Sequence, residues 1–172
     1  MQQEEVKETK SKNITKISKV EAVEVPSYNV IGLRDKGAYS KIGEMVPKLF
    51  EHIASKNIQI AGSPIFVCHE AGAEEACKAD KEGSADLEIC IPVEGDVKSE
   101  GEFSVYELPG GKMAKIVRTG PYGSCEEVFN KLYAWIAEKG YEIAGNSREV
   151  YLNSPMEVSQ EELITEIYVP VK

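Results

Sequence analysis

The chain has 172 residues, 42% of them hydrophobic, enough for one sizeable core that needs no covalent staples. With 29 Asp and Glu against 20 Lys and Arg, its formal charge of -9 sets up a field that repels phosphate backbones and anionic membranes, so neither nucleic acid nor membrane is an expected direct partner. Four scattered cysteines without a C-x-x-C pair or a hydrophobic leader point to a reducing cytoplasm, and no apolar run reaches the roughly 20 residues of a membrane helix.

Residues 1–19 are polar and of mixed charge, with Val6, Ile14 and Ile17 isolated, and read as a mobile tail ahead of a single domain over 20–172. A strand is expected around "VEVP" (Val23–Pro26). A helix follows, with Ile42, Met45, Val46, Leu49 and Ile53 on one stripe, Pro47 making it start late or bend, and Asn57 able to stop it in the left-handed region. Cys68 beside His69 lacks two further ligands at tight spacing, so no metal site is expected. The charged stretch "EAGAEEACKADKEGSAD" reads as a solvated hairpin loop. In "LEICIPV", Leu87, Ile89, Ile91 and Val93 alternate with Glu88, Cys90 and Pro92, the pattern of a strand with two unlike faces.

The second half repeats the first. At an offset of 83 residues, Gly37, Tyr39, Glu44, Leu49, Ile53, Ile60 and Gly62 recur as Gly120, Tyr122, Glu127, Leu132, Ile136, Ile143 and Gly145. "YELP" (Tyr106–Pro109) matches "VEVP", and "EIYVPV" (Glu166–Val171) matches "EICIPV". Ser124 with Glu127 forms a capping box, and Cys125, Val128, Phe129, Leu132, Trp135 and Ile136 give an apolar stripe, so a helix is expected over about 124–139 with Gly140 as its stop. Two units, about 20–93 and 103–172, each strand-helix-strand-strand, predict an α+β fold with pseudo-two-fold symmetry and largely antiparallel sheets around a central cleft.

On the faces that the helices leave uncovered, Glu88 and Glu166 occupy equivalent places. Tyr168 shares the strand face of Glu166, and Tyr151 in "REVYLN" shares its own with Glu149. A carboxylate among rings suits a desolvated cation. A glutamate at the polar position of an antiparallel strand is equally a solvated one, and Tyr151, Tyr168, Trp135 and His52 fit ordinary packing.

"VEVPSYNVIGLRDKGAYSKI", "VYELPGGKMAKIVRTGPYGSCEEVFNKLYAWI" and "REVYLNSPMEVSQEELITEIYVPV" together resemble the effector-binding domain of BmrR and AraC-type multidrug-responsive regulators and of stand-alone GyrI-like proteins. The resemblance covers nearly everything after Val20. It implies a cleft that takes lipophilic, cationic or aromatic small molecules, without a cofactor, through Glu166 with Tyr151, Tyr168, Trp135 and Glu88. No helix-turn-helix precedes the domain, so the implied role is a sensor or sequestering module. An alternative implied by some relatives is hydrolysis of cyclopropane-bearing compounds, with Glu166 and Tyr151 as the catalytic pair. Haem binding through His52, as in SOUL-type proteins, and a gyrase-inhibitor-like protein contact are the remaining alternatives.

Overall fold

A computed structural model describes residues 16–121 and 126–172. In chain order they form β1 (Lys16–Ile17), β2 (Glu21–Val25), β3 (Tyr28–Gly37), α1 (Ile42–Ser55), β4 (Gln59–Ile60), β5 (Ile65–Cys68), α2 (Ala73–Glu82), β6 (Ala85–Glu94), β7 (Ser104–Leu108), β8 (Gly111–Thr119), α3 (Glu126–Glu138), β9 (Arg148–Tyr151) and β10 (Ile164–Pro170). The fold is α+β and every strand pairing is antiparallel.

The halves do not form two sheets facing each other. β5 and β9 pair edge to edge and join them into one sheet of order β1-β8-β10-β9-β5-β6-β3-β7, with β2 added on β8 and β4 on β6. The register of that central seam is informative. Phe66 lies opposite Glu149, and the two are also counterparts at the 83-residue offset, so the approximate two-fold axis passes through this one pair. The first strands are exchanged: β2 of the first half pairs with β8, and β7 of the second pairs with β3.

An axis perpendicular to the sheet puts both long helices on the same face. α1 lays Met45, Leu49 and Ile53 on Ile31, Leu33, Leu87, Ile89 and Ile91, and α3 lays Val128, Leu132 and Ile136 on Ala114, Ile116, Ile167 and Val169. These i, i+4, i+8 rows are the inner face of a 3.6-residue helix and are almost fully buried. A third cluster, Val30, Ile65, Val67, Cys90 and Leu108, occupies the opposite face.

Local differences from the sequence reading have simple causes. Helix α1 is continuous past Pro47, which falls in its second turn, where the missing N–H forfeits a single bond to the Gly43 carbonyl. Asn57 (φ 53°) and Gly140 (φ 73°) take the left-handed geometry after α1 and α3. The charged stretch after Glu70 is not a hairpin loop but α2: Ala, Glu and Lys are strong helix formers, and Gly83 (φ 66°) closes the helix. Ahead of residue 20, Lys16 and Ile17 pair with Thr119 and Arg118, and Ile17 packs beside the α3 core. The capping box at Ser124 lies outside the described residues. No helix among the described residues is long and apolar enough to cross a membrane.

Candidate functional site

Each face of the sheet carries a glutamate environment of its own. On the helix-free face, β6 presents Glu88 and β10 presents Glu166. Glu88 is closed off: its Oε1 lies 2.8 Å from His69 Nε2, and its Oε2 accepts a 2.8 Å bond from the Tyr106 hydroxyl. Only 11% of its side chain remains exposed, as fits a buried carboxylate whose oxygens are both bonded.

Gly32 is what lets Tyr106 reach Glu88, since a Cβ there would fall 2.5 Å from the Tyr106 hydroxyl oxygen. Gly32→Ala is expected to push the phenol off the carboxylate and to lower the unfolding free energy by about 1–3 kcal/mol, the cost of an unsatisfied buried acceptor. Urea denaturation of the two proteins measures it.

Glu166 and Tyr168 line a cavity of about 360 Å³ on this face, together with Lys115, Arg148, Tyr28 and Val150. The carboxylate already has partners. Lys115 Nζ sits 2.7 Å from its Oε2, the Tyr168 hydroxyl donates to the same oxygen at 3.2 Å, and the ammonium also stands over the Tyr168 ring. Tyr151 is not beside it. Tyr151 pairs with Thr165, whereas Glu166 pairs with Val150, so one residue of register places the tyrosine on the helix-bearing face. The Glu166–Tyr151 pair suggested for hydrolysis is therefore split by the sheet. Trp135 is elsewhere again, on the outer flank of α3, stacked on Tyr141 at 5.8 Å. His52, its counterpart on α1, stacks on Phe103 at 3.9 Å.

The helix-bearing face has the opposite character. α1 covers β3 and β6, α3 covers β8 and β10, and the two central strands β5 and β9 floor the groove between them. Alternation turns Phe66, Cys68, Glu149 and Tyr151 upward into that groove. Two residues before Trp135, and so ~200° around the helix, Tyr133 looks the other way, toward Cys68, with Phe129 stacked on it at 6.0 Å. Phe50 is the α1 counterpart of Tyr133 and is 37% exposed. At one end Tyr39 meets Phe66 edge-on at 5.7 Å and donates to Glu70.

Glu149 is thus half-buried at the bottom of an aromatic groove, on the two-fold seam. Loss of hydration pushes its carboxyl above the usual range, and the nearby Arg118 guanidinium offsets this only in part. Among the described residues it is the one carboxyl group held up in this way. Burial also raises Tyr39, Tyr133 and Cys68, so the groove disfavours anions on all its walls. Sequence reasoning placed Glu149 on the face of Tyr151 but not in the site. The signal was available in the repeat: Glu149 falls at the position of Phe66, a carboxylate where the other half has a core phenyl.

The comparisons agree with this architecture. The C-terminal domain of EcmrR superposes with a TM-score of 0.79 at 21% identity, covering 90% of this chain and 97% of that one. In the EcmrR–DNA complex this chain spans 57% of the EcmrR chain. A hydrolase from Listeria innocua (TM-score 0.62, 16% identity, 90% and 92% covered) and SAV2435 bound to tetraphenylphosphonium (0.58, 12%, 90% and 94%) share the fold. No curated protein matches the sequence. Residues 18–172 match the GyrI-like small molecule binding domain, and the chain belongs to that family.

Proposed function

We propose that this domain binds lipophilic, cationic or aromatic small molecules in the groove between α1 and α3, over Glu149 rather than over Glu166. The observation that carries the reading is a carboxyl group whose loss of hydration raises it above the usual range, on a face with Tyr39, Phe66, Tyr133 and Tyr151. Rings attract a cation by about 0.5–2 kcal/mol each, and a carboxylate stripped of water gains more from a poorly hydrated cation than from a sodium ion in solution. That SAV2435 binds tetraphenylphosphonium supports the choice of this class of ligand.

The proton supplies the test. A monocation over Glu149 favours the carboxylate, so at a pH below the Glu149 titration binding is expected to expel a proton. Titration calorimetry with tetraphenylphosphonium, run just below the Glu149 titration in two buffers of different ionisation enthalpy, is expected to show proton release. Affinity is expected to rise with pH through that titration. Proton uptake, or an affinity independent of pH, would refute the assignment.

A second reading rests on the same proton. A carboxylic acid that survives above the usual carboxylate range can protonate a strained ring, and Tyr151 stands two residues away on the same face. Hydrolysis would then belong to Glu149 and Tyr151.

A further inference from the structure

The cavity on the helix-free face is a second site, separate from the groove by the thickness of the sheet. Its distinctive member is Arg148. The residue is 8% exposed, lies on this face beside Tyr168 and Val67, and donates through Nη2 to the Pro109 carbonyl. None of the ion pairs among the described residues includes it. The carboxylate that acts on it at longer range is that of Glu88, whose oxygens are already held by His69 and Tyr106. The other charges at the cavity do not answer Arg148 either: Lys115 and Glu166 neutralise each other at 2.7 Å, and Glu24 lies exposed on β2.

A guanidinium sunk in a cavity without a carboxylate is an unusual expense for a fold, because buried charges are paired as a rule. The repeat shows that it is not an architectural need. The counterpart of Arg148 at the 83-residue offset is Ile65, and that of Lys115 is Gly32, so the basic groups break the symmetry on one side only. The remaining walls are largely apolar, with Val25, Ile65, Met113, Val150 and Leu152 around the basic group. About 360 Å³ is within the range of small-ligand pockets.

We infer that this cavity takes a small amphipathic monocarboxylate, its carboxylate on Arg148 and its hydrocarbon part against Ile65, Met113 and Val150. The domain would then hold two guests of opposite charge on the two faces of one sheet. A guanidinium bonded to a carbonyl at one Nη still offers further N–H donors in the fork geometry that a carboxylate matches.

The test titrates the full chain with sodium octanoate and with octanamide, the uncharged isostere. Octanoate is expected to bind one to one, and octanamide at least tenfold more weakly. Arg148→Gln is expected to weaken octanoate at least tenfold. Val150→Phe, which fills the cavity without touching the buried charge, is expected to do the same while leaving tetraphenylphosphonium binding unchanged. The inference is overturned if octanoate does not bind, if octanamide binds as well, or if octanoate binding survives Val150→Phe. Because the phosphonium is read in the same variant, loss of this site and failure of the groove assignment give different results.

Discussion

Glu149→Gln is expected to weaken binding of tetraphenylphosphonium by about 10- to 100-fold, equivalent to ~1.4–3 kcal/mol and typical of an interaction with a charged partner. The amide keeps the shape and the neutral polarity of the protonated acid but cannot supply negative charge. The rings of Tyr39, Phe66 and Tyr133 remain, so residual binding should persist and lose its pH dependence. Glu166→Gln is the matched control, since Glu166 faces the other side of the sheet and is bound by Lys115. Equal losses in the two variants would contradict a groove site. The same pair decides the hydrolytic reading, for which any turnover of a cyclopropane-fused compound must vanish with Glu149 and not with Glu166.

The stability of Glu149→Gln has a sign fixed by linkage. Burial raises the folded-state carboxyl above its unfolded value, so the folded chain binds more protons in the window between the two. Stability therefore falls as pH rises through that window, and the cost of the ionised form is fully present above it. Glutamine removes the cost. The variant is expected to be at least as stable as the parent at neutral pH, with the difference fading below the unfolded carboxyl range. Because the raised value already includes the opposing influence of Arg118, that guanidinium does not reverse the sign.

Much of the architecture was legible because duplication writes it twice. The stripe Met45, Leu49, Ile53 and its copy Val128, Leu132, Ile136 fix both helices, and the alternation in "EICIPV" and "EIYVPV" fixes which face each covers. What periodicity could not reveal was how the halves meet. β5 and β9 are short, four residues each, and their pairing is a tertiary choice that local pattern does not encode. That missing register is why Glu166 and Tyr151 read as neighbours. Glu166 and Tyr151 both lie on alternating strands, and only the Thr165–Tyr151 pairing shows that they point to opposite faces. Hydration was equally invisible: "REVY" and "TEIY" each offer a glutamate near a tyrosine, yet only the Glu149 carboxyl is pushed up by loss of hydration, while Lys115 sits 2.7 Å from Glu166.

Gly110→Ala is expected to be severely destabilising, since of the described glycines whose added Cβ has been placed it meets the nearest backbone atoms. The turns "VPSY" and "LPGG" are counterparts, and they cross near the two-fold axis on the helix-free face, where the Ser27 hydroxyl accepts a 2.9 Å bond from the Gly110 N–H. Ser27 and Gly110 are themselves related by the 83-residue offset, so the repeat meets itself here. A Cβ on Gly110 would lie 2.1 Å from the Val25 carbonyl oxygen, 2.4 Å from the Pro26 carbonyl carbon and 2.6 Å from the Ser27 nitrogen. All three are backbone atoms, which cannot swing aside as a side chain would. Relief requires the β2–β3 turn to lift, and β2 is the strand that ties the first half to β8 of the second. The expected loss is about 3 kcal/mol, the upper end of overpacking costs, read as a lower urea midpoint. Ser27→Gly removes only the hydroxyl acceptor and should cost about 1 kcal/mol. If Gly110→Ala proved as mild as Ser27→Gly, the two turns would not be in the close contact that joins the halves, and the exchange of β2 and β7 would lose its anchor.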